Sequence, residues 1–302
     1  MDISLVIVSY NVEEYIISCI QSIYKHSKSN YSFEIVVVDN NSQDETVNRL
    51  KKEFPKIALI ENDYNAGFSI AANQGVKKCQ GKYLLILNPD TLFVEDCLAQ
   101  LIRVAQNQKD LGVIGPALIS EKGNIQQSYW RYPSMLNTIL SISHLDFINY
   151  YKNYKNKKFN DISKVDTISG GAFFLPKKVF IKLNGFNENL FWMEDIDFCI
   201  RLKEIGCNAY YFPLTKIIHF IGKSAEKNYK ISISNQLISK IKFFKTHHSK
   251  FTAFIILCFI FIISIIKSAL LLIVSPFSSI YRKKFVAYTY TIRSICYLLK
   301  IN

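Results

Sequence analysis

Lys82-Tyr83-Leu84-Leu85-Ile86-Leu87-Asn88-Pro89-Asp90 decides how the rest of the chain is read. Tyr83 to Leu87 is an unbroken apolar run of a strand's length. A run without polar alternation suits a strand covered on both faces, as in a parallel sheet. Pro89 ends it, because proline has no amide to give to a ladder. Asp90 then stands where the strand stops, and in open α/β sheets ligands bind beyond the carboxyl ends of the strands. A lone carboxylate there suits a divalent cation that in turn holds a ligand's phosphates. Taken alone, Asn88-Pro89-Asp90 reads equally well as a turn.

The preceding segments repeat the pattern. Ile3 to Val8 reads as a buried strand ending at Ser9-Tyr10-Asn11. A helix follows from Val12 to His26, with Tyr15, Ile16, Cys19, Ile20 and Ile23 at helical spacing. Phe33 to Val38 is a second buried strand, ending at Asp39-Asn40-Asn41-Ser42, where Ser42 or Asp44 can cap the next helix. Ile57 to Ile60 is a short third strand, and Asn65-Ala66-Gly67-Phe68 turns into a helix through Val76. Alternating β and α predicts a parallel sheet whose polar strand ends line one crevice.

Beyond the decisive strand the pattern loosens. Leu111 to Leu118 and Val165 to Leu175 read as strands, the latter containing Ser169-Gly170-Gly171. The Tyr/Asn/Lys-rich stretch from Asn149 to Asn160 is expected to be irregular. Asp195 to Ile205 reads as a helix with acids at its start and Gly206 as its stop. Ala209 to Phe212 and Ile217 to Phe220 read as two short strands, with His219 in the second.

Charge is unevenly spread. Of 37 Lys and Arg, 12 lie from Lys227 to Asn302, where none of the 24 acids falls; the first 226 residues thus hold 25 basic against 24 acidic residues. A basic chain suggests nucleic acid. Here the excess flanks an apolar run, Phe251 to Ile266, continued from Ser268 to Val274. That favours a membrane surface rich in anionic lipid, and no nucleic acid partner is expected. The run is about long enough to span a bilayer, which needs about 20 residues. Lysines before it and Arg282, Lys283 and Lys284 after it leave its orientation open between a span, a re-entrant hairpin and an in-plane helix. The seven cysteines form no Cys-x-x-Cys pair, which argues against a zinc site or a disulfide framework and fits a reducing cytosol. Asp2 directly after Met1 gives no signal-peptide pattern.

The quotable segments are Val8-Ser9-Tyr10-Asn11, Val38-Asp39-Asn40-Asn41-Ser42, Asn65-x-Gly67-Phe68, Asn73-x-Gly75, Leu87-Asn88-Pro89-Asp90, Ser169-Gly170-Gly171-Ala172, Gly185-Phe186-Asn187-Glu188, Glu194-Asp195-Ile196-Asp197 and His219-x-x-Gly222-x-Ser224. In this order, from about Ile3 to Ser224, they resemble a family 2 glycosyltransferase. Within that family they are similar to the rhamnosyltransferase-like branch of bacterial cell-surface polysaccharide synthesis. The resemblance implies an α/β GT-A fold, a Rossmann-like, mostly parallel sheet flanked by helices, over residues 1–226. Residues 227–302 would follow as a basic, apolar, membrane-associated helical tail. It further implies an inverting sugar transfer from a nucleotide-diphosphate sugar donor carried on dTDP or UDP, with rhamnose or a related deoxyhexose as the sugar. The acceptor would be a lipid-linked or other glycan, met at the cytoplasmic face of the bacterial inner membrane.

The same resemblance assigns roles. Asp90 is the principal ligand of a divalent metal, Mg or Mn, with Asn88 and His219 as further metal candidates. Many relatives carry a carboxylate where this chain has Asn88; the rhamnosyltransferase-like ones share the Asn-Pro-Asp form. A departing nucleotide diphosphate gains negative charge, which a divalent cation neutralises. Ser9, Asn11 and Asp39 bind the nucleotide, Asp39 by accepting from a base N–H. Asn65 and Gly67 lie near base and ribose, Asn73 contributes to donor binding, and Gly170 and Gly171 let backbone approach the sugar. Asp195 is the general base that takes the acceptor hydroxyl's proton, with Glu194 as second choice. Phe191-Trp192 ahead of them suggests an apolar wall, which raises a carboxylate's pKa.

Without the resemblance, Asp39 reads as a turn acid, Asn65-Ala66-Gly67 as an ordinary turn, Gly170-Gly171 as a bulge, and Glu194-Asp195 as helix-capping acids. Two other function classes stay open on the residues alone. A nucleotidyltransferase making the donor wants a Gly-rich phosphate loop after the first strand, and Ser9-Tyr10-Asn11 is not one. A non-catalytic membrane-associated binding protein predicts loss of Asp90 or Asp195, and both are present.

Overall fold

The computed structural model describes residues 1–27, 30–145, 159–220 and 229–301. The irregular reading of 149–160 falls almost wholly outside these residues, as do Gly222 and Ser224. The chain divides into two compact units. The first comprises Met1–Tyr132, Tyr154–Glu188 and Glu194–Lys223; the second comprises Pro133–Asn153, Asn189–Met193 and Ser224–Asn302.

The first unit begins with β1 (Ile3–Ser9), α1 (Glu13–His26), β2 (Phe33–Asp39), α2 (Thr46–Glu53), β3 (Ala58–Glu61), α3 (Phe68–Lys78) and β4 (Tyr83–Leu87). Then come β5 (Thr91–Phe93), α4 (Cys97–Asn107), β6 (Leu111–Ile119) and β7 (Tyr129–Trp130). After α5 (Met135–Ile142), which belongs to the second unit, follow β8 (Ser163–Val165), β9 (Thr167–Ile168), β10 (Ala172–Pro176), α6 (Lys177–Lys182), α7 (Glu194–Glu204) and β11 (Asn208–His219).

Nine strands make one sheet in the order β3-β2-β1-β4-β10-β6-β11-β5, with β8 also paired to β11. β3, β2, β1 and β4 run parallel, as β6 and β11 do, while β10, β5 and β8 are antiparallel to their neighbours. The sheet is therefore mixed but mostly parallel. Both faces are covered, and alternation along each strand divides its side chains between two cores. In β4, Tyr83, Leu85 and Leu87 enter one cluster and Leu84 and Ile86 the other. In β1, Ile3, Leu5 and Ile7 part from Val6 and Val8 in the same way.

Two expected strands differ in outcome. Val165 to Leu175 is not continuous: Ser169-Gly170-Gly171 breaks it, and β9 pairs with β7 in a separate two-stranded sheet while β10 enters the main one. Asn208 to His219 is one strand rather than two, kept whole across a register shift between Phe212 and Lys216. A bulge there absorbs the polar residues that suggested a break.

The second unit holds α5 with α8 (Tyr229–His247), α9 (Lys250–Val274) and α10 (Ser279–Ile301), the last two joined through a 3-10 turn at Ser275–Phe277. In α9, Ala253, Ile256, Ile260, Ser264 and Ser268 are buried at helical spacing. Its large apolar side chains point outward, among them Phe251 at 73%, Leu270 at 61% and Ile273 at 70% exposure. A core helix of a soluble domain has the opposite polarity. Among the described residues, Lys250–Phe277 is long and apolar enough to cross a membrane.

Gly81 shows how closely the sheet's entry is packed. A Cβ there would stand 2.5 Å from the Ser4 amide nitrogen and 2.6 Å from the Ile3 carbonyl carbon, both backbone atoms. Gly81→Ala is expected to cost ~1–3 kcal/mol, the range for overpacking. A lowered thermal midpoint checks this.

Candidate active site

The carboxyl ends of β1, β2 and β4 and the start of β10 meet at one edge of the sheet. Register sets this: Ser9 lies opposite Asp39, Ile7 opposite Leu87, and Ala172 opposite Leu87 from the other side. The expected residues gather there in two groups.

The first group is a knot around Asp39, which is 1% exposed. Its Oδ1 accepts from the Ser9 hydroxyl at 2.8 Å and the Ser42 hydroxyl at 2.6 Å, and its Oδ2 accepts from the Ser42 amide at 2.8 Å. The Asn11 amide donates to Ser42 Oγ at 2.9 Å, and the Gln43 amide donates to Asn11 Oδ1 at 2.7 Å. Asn11 and Asn41 take positive φ, 54° and 64°, which asparagine tolerates better than most residues. Beside the knot, Asn65 Oδ1 accepts from the Gly67 amide at 3.0 Å, and Gly67, at φ 83°, opens α3. Asp39 thus ties the end of β1 to its own strand-end loop, with one hydrogen bond from Ser9 and two from Ser42. Asn73 is also spent on the protein. It donates to the Phe186 carbonyl at 2.9 Å and to Glu188 at 3.0 Å, and accepts from the Phe186 amide at 2.9 Å.

The second group is held by the Ser169-Gly170-Gly171 turn. The Asn88 amide donates to the Gly171 carbonyl at 3.1 Å, and the Gly170 amide donates to Asp195 Oδ2 at 2.9 Å. One turn therefore joins the end of β4 to the start of α7. His219, at the end of β11, lies opposite Thr91 in β5. Its Nε2 stands 3.4 Å from Asp90 Oδ1 and 3.5 Å from Asn88 Nδ2. The structure thus brings together Asn88, Asp90 and His219, the three metal candidates from separate parts of the sequence. Oxygen and imidazole donors of this kind suit Mg²⁺ or Mn²⁺, whose sites commonly draw remaining ligands from phosphate and water. Among the described residues no cluster of three or more His, Cys, Asp and Glu could hold a metal by itself. The fit is to a cation shared with a ligand.

Glu194 and Asp195 open α7, where acids suit the helix dipole. Asp195 has a second amide on it, from Ile196 to Oδ1 at 2.8 Å. Glu194 Oε2 is buried with no hydrogen-bond partner among the described residues. Burial, then the Asp195 charge beside it, push the Glu194 carboxyl well above the usual range. Burial also raises Asp195, but the Gly170 and Ile196 amides favour its charged form. Of the pair, burial and the neighbouring charge favour the neutral form of Glu194 more, while two amides support the charged form of Asp195. A Cβ on Gly170 would make ordinary van der Waals contact with Asp195, at 3.7 Å from Oδ2, and with Glu194, at 3.8 Å from Oε1, so Gly170 faces the two acids.

Several residues that build the site were not singled out from sequence. Arg201 pairs with buried Asp197 at 2.7 Å and donates to the Leu183 and Gly185 carbonyls at 2.6 and 3.0 Å, fixing α7. Its i,i+4 spacing from Asp197 was the available signal. Gln126 donates to the His219 carbonyl at 2.8 Å, and Thr91 to the Asn88 carbonyl at 2.8 Å; neither has a local signature. Phe191 and Trp192, read as a wall, belong to the second unit, where both amides donate to Ser239 Oγ.

The model for glycosyl transferase family 2 matches residues 4–183, more than half of the chain. The chain belongs to glycosyl transferase family 2. A second model, the N-terminal domain of galactosyltransferase, matches residues 152–224. Among similar proteins is the N-acetylglucosaminyl-diphospho-decaprenol L-rhamnosyltransferase of Mycobacterium tuberculosis, 21% identical over 64% of this chain and 68% of the relative. Another is the rhamnosyltransferase WbbL of Escherichia coli, 23% identical over 72% of this chain and 82% of the relative. Solved structures of GalNAc-T7 with UDP, GalNAc and Mn²⁺ (TM-score 0.57, 18% identity) and of TarS from S. aureus (0.52, 16%) share the fold over 72% and 79% of this chain. The chain spans 44% and 65% of those two chains. With the sheet described above, they make this a GT-A fold.

Because burial favours the neutral form of Glu194 and two amides favour the charged form of Asp195, Glu194→Gln is expected to keep most of the turnover, whereas Asp195→Asn should lose about 10²-fold or more. The reverse pattern would exchange the two roles. Stability gives a second readout. A raised folded-state pKa contributes stability that is complete below the ordinary glutamate value of 4.5 and is lost as pH rises through the folded value. Glu194→Gln should flatten that decline in a thermal midpoint measured against pH.

Proposed function

We propose that this chain is an inverting glycosyltransferase of bacterial cell-surface polysaccharide synthesis. It takes rhamnose or a related deoxyhexose from a dTDP- or UDP-linked donor and delivers it to a lipid-linked or other glycan acceptor. The observation that carries the reading is the Ser169–Gly171 turn, bonded on one side to Asn88 and on the other to Asp195. In this reading it links the strand-end segment that carries Asp90, suited to diphosphate and cation, to the helix start that carries Asp195, suited to proton abstraction. The rhamnosyltransferase names among the relatives support the sugar class.

In this reading Asp195 accepts the proton of the attacking hydroxyl as the new glycosidic bond forms and the bond to the nucleotide diphosphate breaks. Its two backbone donors orient it and favour its charged form, and burial pushes Glu194 toward the neutral form, which lessens negative charge beside it. Gly170 leaves room for a sugar ring. The loops knotted by Asp39, Ser9 and Asn11, with Asn65 and Gly67, take the nucleoside, and Asn73 positions α3 beneath them. Asp90, with His219 and Asn88, would hold Mg²⁺ or Mn²⁺, which when bound offsets charge on the departing diphosphate.

We place residues 1–226 in the cytosol as the catalytic part and 227–302 at the cytoplasmic face of the inner membrane. The outward apolar face of α9 and a tail with 12 basic residues and no acid support this. Two outcomes are expected. Asp90→Ala should abolish transfer and metal-dependent binding of a dTDP- or UDP-sugar in a donor panel while leaving the thermal midpoint unchanged; unaltered turnover would refute its role. The full chain should stay with membranes in high salt and leave only with detergent, because apolar burial is not screened by ions.

A further inference from the structure

The second unit shows how the tail meets the bilayer. α8, α9 and α10 pack on one another, and α5 packs on α9. The links are short: Ser249 caps α9 directly after α8, and Ser275–Phe277 leads into α10. If α9 crossed the bilayer while α8 and α10 lay on opposite sides, those two could not be neighbours. They are neighbours. A spanning α9 would therefore have to carry both partners through the hydrocarbon with it.

Their sequences forbid that. α8 holds Lys242 and Lys245, and α10 holds Arg282, Lys283, Lys284 and, past its middle, Arg293. Charged side chains at bilayer depth are costly unless paired or in water, and no acid lies in the tail to pair with them. The charge inside α9 itself is already turned inward. Lys267 donates to the Ile142 carbonyl at 3.0 Å and lies over the Tyr288 ring at 5.3 Å, both within this unit. After Lys250, the side chains α9 leaves most exposed are apolar and uncharged, among them Phe254, Ile262, Ile266, Leu270 and Ile273, with Phe277 beyond it. α10 exposes Tyr281, Tyr290 and Tyr297 between Arg282, Lys283 and Arg293, a mixture suited to the headgroup layer. A helix with the mixed face of α10 has the pattern of one lying in the interface plane.

We infer that the second unit is a monotopic anchor: α9 sinks its outward face into one leaflet of an anionic bilayer and does not cross it, so residues before and after it stay on the same side. The inference rests on the membrane reading above and adds its topology. The basic residues of α8 and α10 meet the anionic headgroups of that leaflet, and the apolar face supplies burial that salt does not weaken.

The test uses the full chain in bacterial membranes with a membrane-impermeant maleimide. Lys245→Cys precedes α9 and Arg282→Cys follows it; both native side chains are exposed. Labelled positions are read by peptide mass, which separates them from native cysteines. In inverted vesicles both variants should label, and in intact spheroplasts neither should until detergent is added. Lys245→Cys reactive in inverted vesicles with Arg282→Cys reactive only from the other side, or only after detergent, would overturn the monotopic anchor while leaving membrane association intact. A chain released from membranes by salt alone would refute the membrane reading and this topology with it.

Discussion

Two backbone hydrogen bonds on one turn hold the first unit's chemistry together. Gly171 accepts from Asn88, and Gly170 donates to Asp195. The turn exists because β10 enters the sheet antiparallel to β4, starting where β4 ends. Were β10 parallel, its start would lie at the opposite edge and α7 would have no backbone donor to meet there. The antiparallel strand inserted into a parallel sheet is therefore the constraint from which the site follows. His219 obeys the same logic, since β11 pairs with both β6 and β5 and so ends beside the residue that follows β4.

Electrostatics then distinguishes two adjacent acids. Neighbouring carboxylates in a half-buried place cannot both be charged cheaply. Hydrogen bonding decides between them: Asp195 accepts two amides and Glu194 Oε2 accepts none among the described residues. An acid pair at a helix start would ordinarily be two caps on exposed amides. Here one acid is fastened by the Gly170 turn, while Oε2 of the other has no partner among the described residues, an unfavourable arrangement for folding alone. Such cost concentrates at functional sites. The Asp197–Arg201 pair lies on the same helix and offsets part of it by bonding α7 to the Leu183 and Gly185 carbonyls.

How much of this was legible follows from how local each signal is. β1 to β4 were readable because each is a short apolar run ended by polar residues, and both-face burial leaves the run unbroken. The pairing of β10 was not, since apolar content carries no direction. Nor was the break inside Val165 to Leu175, where Gly170-Gly171 is as compatible with a bulge as with a turn. Asp39 shows a subtler gap. Its type and place at a strand end suggested a reader of a base, but its carboxylate is engaged by Ser9 and Ser42, partners that only the fold brings within reach. Gln126 and Thr91, which hold His219 and Asn88 through their carbonyls, make contacts that any polar residue of suitable length could make, so sequence does not mark them.

The tail answers a different physical demand from the sheet. Up to residue 226 charge is nearly balanced, 25 basic to 24 acidic, and in the first unit apolar groups turn inward on both faces of the sheet. From Lys227 onward both rules invert together: 12 basic residues lack acids, and many large apolar side chains of α9 turn outward. Either inversion alone has a soluble explanation, an outward basic patch for polyanions or an apolar patch for a protein partner. Under the proposed membrane reading their coincidence fits a surface that is anionic at its rim and apolar below it, as a lipid leaflet is. The helix that meets it keeps small residues, Ala253, Ser264 and Ser268, toward its own partners. Close approach on that side brings the bundle together without requiring its apolar bulk there, which frees the large side chains for the other face.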